Sequence, residues 1–299
     1  MGVYGGKFAI VDAANTVRQW SISETSTQPK GVASNSQLGT FRRKGVHSWQ
    51  GTYQGYGATP IRMPGEQFHF KGYTAPTSNV AGTTGLTYDG QAFVSAVTIN
   101  WDWKTAQIIS HTVNFMGHLA LTPQAAVPVL DNAVIDDPTT IGTKITWDKA
   151  TPTAVQQLEA LTTAQLTLSS IIVPYVNSDT VINGTCWRGC VSGPIDWTLS
   201  MQQETESRLK ATDLVLDDIV QLKLFVDATK FWKLQFGIVR DCTGITANRE
   251  TGAVIARTQN VDMMAHNGAT MGKVNRPDGT TWWPAVPVGL LQQQPVIKA

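Results

Sequence analysis

The chain has 299 residues, of which only 15% are charged, against roughly a quarter in an average soluble domain. Lys and Arg number 23 and Asp and Glu 22, a net charge of +1, so no overall field exists to hold a nucleic-acid backbone or an anionic membrane by counterion release. No apolar run approaches the roughly 18 residues of a membrane-spanning helix. Met1 to Lys7 lacks a basic segment followed by an apolar core, so the chain is expected to fold in a cytoplasm, with no membrane partner.

Short alternating or β-branched segments, punctuated by Gly, Pro, Asn and Asp, predict strands along the whole chain. In order they are Val17 to Ser23, Val46 to Tyr53, Gln67 to Gly72, Phe93 to Trp103 and Ala106 to Phe115 in the first half. The second half offers Leu166 to Val173, Ile195 to Gln202, Val220 to Asp227, Phe231 to Arg240 and Ala253 to Val261. Thr151-Pro152 supplies an N-cap and an N1 proline, and Ala154, Leu158, Leu161 and Leu166 follow at near-helical spacing, so one helix is expected over Thr151 to Ala164.

The halves read as a divergent internal repeat. Gly39-Thr40-Phe41-Arg42 leads into a strand carrying Trp49, and Gly184-Thr185-Cys186-Trp187-Arg188 leads into one carrying Trp197. Downstream, Gly65 to Phe70 matches Asp218 to Leu224, the strand from Phe93 matches the strand from Phe231, and Gln107 to Val113 matches Val254 to Val261. The join is expected in the Pro- and Asp-rich stretch from Leu121 to Pro138. That gives a first β domain at 1–122, a linker at 123–139, a second β domain at 140–272 and an extended arm at 273–299. Pro277, Pro284, Pro287 and Pro295 argue against sheet or helix interiors in the arm. Trp282, Trp283, Leu290 and Leu291 are its candidate contacts with a neighbouring subunit.

No nucleophile elbow, P-loop, zinc-protease helix or dinucleotide fingerprint is present, so no catalytic residue and no cofactor is nominated. His111 and His118 are too far apart along a strand to converge on one ligand. The pairs Asp136-Asp137 and Asp217-Asp218 sit in turn-like sequence, where Asp is favoured for local hydrogen bonds. Cys186, Cys190 and Cys242 cannot all pair and are expected to be reduced, and Cys186 and Cys190 lack the further ligands of a structural metal site. Trp49, Tyr53, Tyr56, Trp101 and Trp103 could stack on sugars, which makes a carbohydrate-binding module one alternative. However, Trp49, Gly51 and Tyr53 alternate along a strand, which predicts a core face. Trp20, Trp49, Tyr53 and Trp197 are the candidate core aromatics.

The ordered set of Trp20-Ser21-Ile22-Ser23, the loop ending in Gly39-Thr40, the basic turn Arg42-Arg43-Lys44-Gly45, Trp49-Gln50-Gly51 and Pro64 to Phe70 resembles the major tail tube proteins of tailed bacteriophages. The likeness covers about residues 17 to 120 well and 140 to 268 more weakly. It implies a mainly β fold of two tandem β-sandwich or barrel-like tail-tube domains, with at least one flanking helix and an extended C-terminal arm. It also implies a structural virion protein, not an enzyme, whose rings stack into a conduit for phage DNA, trimeric and pseudo-sixfold if the domain is duplicated. The implied partners are copies of itself, other tail proteins, and double-stranded DNA that passes without specific binding. Arg42, Arg43 and Lys44 are then expected off the channel, in ring-to-ring or outer-surface contacts, because lumen cations would grip phosphates. A tail terminator, a distal tail or baseplate ring protein and a capsid decoration protein are the related alternatives.

Overall fold

The computed structural model describes residues 8–10, 17–31, 41–42, 44–74, 85–126, 140–149, 155–205, 214–246, 255–263 and 274–282. They are mainly β. The first half holds β1 (Phe8–Ile10), β2 (Val17–Ser26), β3 (Lys30–Gly31), β4 (Phe41–Arg42), β5 (Val46–Tyr56), β6 (Gln67–Thr74), β7 (Gly85–Asp102) and β8 (Ser110–Ala126). The second holds β9 (Ile145–Lys149), β10 (Gln156–Gln157), β11 (Leu161–Tyr175), β12 (Val181–Ile182), β13 (Thr185–Trp187), β14 (Gly189–Thr205), β15 (Ile219–Phe225), β16 (Phe231–Thr246) and β17 (Ile255–Met263). The hairpin strands β18 (Val274–Asn275) and β19 (Thr281–Trp282) follow.

Six strands of the first half are hydrogen-bonded in the order β1, β6, β7, β8, β5, β2. The second half follows the same path through β9, β15, β16, β17, β14 and β11. The correspondence extends to backbone detail. A turn feeds β6 with Gly65 N–H donating to Val94 O at 2.8 Å and Val94 N–H to Glu66 O at 3.0 Å; ahead of β15, Asp217 donates to Val239 O at 3.0 Å and Val239 to Asp218 O at 3.1 Å. Gly65 and Asp217 both take a left-handed backbone, with φ of 86° and 65°. The ladder then slips by one residue immediately after Val94 in one half and after Val239 in the other, the same bulge at the same place.

Each half folds its sheet over an aromatic core. In the first, Phe68 and Phe70 of β6 lie against Phe115 of β8, and Phe70 also meets Trp49 of β5 and Trp20 of β2. Trp49, Tyr53 and Trp197 are buried and Trp20 packs at the margin of the same cluster. The tryptophans need glycine beneath them: a Cβ on Gly117 would stand 2.2 Å from the Trp49 ring, and one on Gly237 2.6 Å from Trp197. At one matched pair of the two halves, size is exchanged. Gly51 sits opposite Phe115, while Leu199 sits opposite Val261, and a Cβ on Gly51 would come within 2.5 Å of the Phe115 ring.

The halves share one core. Trp232 Nε1 donates to Ala58 O at 2.8 Å, Trp282 Nε1 to Pro64 O at 3.1 Å and Arg276 to Pro60 O at 2.8 Å, so the loop after β5 is the seat for the second half and for the β18–β19 hairpin.

Three expectations change. The segment read as a helix has its described part, from Val155 on, in β10 and β11; residues 151–154 lie outside the described residues. Ala164, Leu166 and Leu168 are buried at a spacing of two, because β7 and β14 flank β11 on both edges and supply its ladder. A helix there would forfeit both ladders. The one helical element among the described residues is a single 3-10 turn, Ser178–Thr180. Second, β8 continues through Ala126, into the stretch expected as a linker. Third, the start of the C-terminal arm is not free: Val274 and Asn275 pair with β16, and Val274 and Trp282 are buried.

Gly117→Ala should therefore cost about 1–3 kcal/mol by overpacking against Trp49, read as a lower urea midpoint. Trp282→Ala should cost about 3–5 kcal/mol in the same assay, because that ring packs within its own chain.

Candidate functional surface: the polar face of the joined sheet

The long strand β7 divides one of its edges. Its first part, Leu86 to Phe93, pairs with β6, and its last, Ala96 to Asp102, pairs with Ser169 to Thr163 of β11. The second pairing joins the halves, so that β2, β5, β8, β7, β11, β14, β17 and β16 form one continuous antiparallel sheet.

Strand alternation gives that sheet two unlike faces. One faces the core: a row across it reads His111, Ile99, Leu166, Leu199, Val261 and Val239, all buried. The row beside it, on the opposite face, reads Ser110, Asn100, Gln165, Ser200, Asn260 and Asp241. Another reads Gln54, Thr112, Thr98, Thr167, Thr198 and Asp262. Hydroxyls and amides dominate this face and bond along it: Ser21 Oγ and Thr52 Oγ1 are 3.0 Å apart, and Gln165 Nε2 donates to Asn100 Oδ1 at 2.9 Å across the joint. Cations at its margins are held by carboxylates, Lys104 by Glu204 at 3.0 Å and Arg240 by Asp241 and Asp262 at 3.0 Å each. With its charges so paired, the face is wettable but has little grip on a polyanion.

The other polar candidates are spent on structure. His111 Nδ1 donates to Gly57 O at 2.9 Å, and His118 Nδ1 accepts from Cys190 N–H at 3.0 Å, so the two rings serve separate backbone contacts. Cys190 is buried with its thiol on Gly117 O at 3.3 Å. Asp218 pairs with Lys149 at 3.3 Å, beside Asp217 in the turn before β15. Asp136 and Asp137 lie outside the described residues, as do Arg43, Trp283, Leu290 and Leu291. Among the described residues no three His, Cys, Asp or Glu side chains cluster as metal ligands.

Of the basic turn, Arg42 belongs to β4 and Lys44 is exposed. Both follow the end of the β2–β5 ladder at Ser26 and His47, beyond the polar rows. Trp101 is fully buried and Trp103 donates to Thr143 Oγ1 at 2.8 Å, which leaves no aromatic platform from this pair. The polar face itself was legible as the intervening residues of the predicted strands. The joint was not, because nothing in β7 marks where one partner ends and the next begins.

No family model matches the chain, and no curated protein matches it.

Burial lowers the pKa of both His111 and His118, so folding favours their neutral rings. The unfolded chain protonates them near pH 6.5 and binds more protons below it. Their contribution to stability is thus complete above that pH and is lost as pH falls from it through the lower folded-state values. Urea midpoints should drop between pH 7.5 and 5, and the slope should flatten in His111→Gln/His118→Gln.

Proposed function

We propose that this chain is a ring-forming structural subunit of a tube that conducts double-stranded DNA, as in the tails of bacteriophages. The observation that carries the reading is the joint between repeats. If β7 of one repeat pairs with β11 of the next, the same relation applied to the second repeat puts the last part of β16 against β2 of another copy. Among the described residues both edges lack a strand partner there: β2 pairs only with β5, and β16 beyond Val239 pairs only with β17.

The equivalences fix the register. Thr98 and Thr243 occupy matching places opposite Thr112 and Thr258, and Thr167 and Ser23 match opposite Thr198 and Gln50. The internal pair Thr98–Thr167 therefore maps onto Thr243 of one copy and Ser23 of the next. Three copies carry six repeats and close 24 strands, which at about 4.8 Å per strand and a tilt of about 40° makes a cylinder roughly 50 Å across. That is wide enough for a duplex. The polar face is the natural lining, since the opposite face is core, and its hydroxyls and amides let a duplex slide. Closure also removes the edges that otherwise invite indiscriminate pairing. Stacked by translation, such rings extend into a tube.

The test uses Ser23→Cys/Thr243→Cys in a chain with Cys186→Ser and Cys242→Val, and Thr98→Cys/Thr167→Cys as the intrachain control. Oxidation should give a covalent ladder on non-reducing gels that stops at three chains, and negative-stain images of the unmodified protein should show stacked tubes. Isolated rings of fixed size would favour a terminator or baseplate part. An oxidised control beside an unlinked Ser23→Cys/Thr243→Cys chain would remove the ring.

A further inference from the structure

We infer that the small hairpin β3–β4 is a clasp that docks on the neighbouring copy, at the entry to its β14, and locks the ring joint from its end. This rests on the ring reading above, but on a different part of the chain.

In the second half, the loop between β11 and β14 carries the hairpin β12–β13, with Val181 opposite Cys186 and Ile182 opposite Thr185. That hairpin does not stay with its own repeat. Its strand β13 lies parallel to the start of β5 in the first half, Cys186 beside Val46 and Trp187 beside His47. Arg188 N–H donates to His47 O and Leu119 N–H to Arg188 O, both at 2.9 Å. Trp187 is buried, its ring 5.3 Å from that of His47. One repeat thus clamps the next at the joint between them.

The first half has a hairpin in the same place, between β2 and β5. Lys30 pairs with Arg42 and Gly31 with Phe41, but β3 and β4 form a separate two-stranded sheet without a further ladder among the described residues. Its base is fixed: Thr27 N–H donates to Val46 O at 3.0 Å and Val46 N–H to Thr27 Oγ1 at 3.0 Å. A lone two-stranded hairpin is marginal in water, so a pair anchored at its base but without a further ladder among the described residues lacks the support its counterpart enjoys. The relation that places β13 on β5 places β4 on β14 of the next copy. There His47 corresponds to Ile195, since Gly51 and Leu199 hold matching positions.

The receiving end is suited to it. Ile171 and Val191, beside that entry, are 62% and 40% exposed, and Pro194 is exposed within β14, in the register irregularity opposite Ile171. The clasp also gives Arg42 a place at a subunit boundary, away from the polar face.

Arg42→Cys/Ile195→Cys should cross-link chains on oxidation, in assembled protein only, with Val46→Cys against the natural Cys186 as the intrachain control. Because a substituted hairpin can impair assembly, hydrogen exchange of the unmodified protein gives a second readout: amides of residues 30–31 and 41–42 should slow at least tenfold between subunit and ring. Rings linked through Ser23→Cys/Thr243→Cys, with unchanged exchange in the hairpin and no Arg42→Cys/Ile195→Cys product, would overturn the clasp and leave the ring standing. A clasp cross-link without the Ser23→Cys/Thr243→Cys product would overturn the ring joint instead.

Discussion

An open sheet edge is a row of backbone donors and acceptors that must be hydrogen-bonded to something, and the fold turns on how β7 meets that demand. At 18 residues it is too long for β6 to cover, and the remainder is taken by β11. That single division joins the two halves into one sheet and one core, and it sets the loop after β5 where Trp232, Trp282 and Arg276 can bond to it. Its counterpart β16 has a similar length to spare beyond β15 and no second partner for it among the described residues. The β2 edge is as bare, and between Val17 and Ser26 it has neither the proline nor the lysine with which isolated proteins blunt such edges.

The low charge acquires a location. Facing rows of a sheet must differ in polarity when one covers a core, and here the outer rows satisfy that with Ser, Thr, Asn and Gln where soluble domains usually place Lys and Glu. Hydroxyls and amides hydrate the surface while adding almost no field, and the cations near the face are neutralised by adjacent carboxylates. The charge balance and the alternation are thus two expressions of one surface: one that tolerates a polyanion close by without retaining it.

Much of this was readable in advance, and the exceptions have physical causes. All ten predicted strands fall on observed ones, because alternation such as Trp49-Gly51-Tyr53 is a direct imprint of a two-faced sheet. The helix expected from Thr151 failed because Leu158, Leu161 and Leu166 fit a helical spacing as well as a strand entered through a loop, and only flanking strands decide between them. Proline spacing in the C-terminal segment hid β18 and β19, whose strands end before Pro277 and resume after it. The left-handed turn residue is Gly65 in one repeat and Asp217 in the other, so a glycine signal finds only the first.

Those differences show what the two halves have in common. Gly51 with Phe115 and Leu199 with Val261 fill similar space with opposite partners, which preserves the backbone path while erasing side-chain identity. The same comparison sets the joint inside the chain against the β2 edge, the outer seam of the proposed ring. Leu168, buried in the internal joint, corresponds to Glu24 on the free β2 edge, where the carboxylate meets His47 at 3.5 Å. A leucine suits a seam that is never exposed after folding. In the proposed ring, an edge that stays exposed until a second copy arrives is better served by a charged side chain, which an indiscriminate strand would have to desolvate and a matching edge can leave at the rim. The internal joint can be apolar because it forms with the fold; the outer one of the proposed ring has to exist, exposed, before it is used.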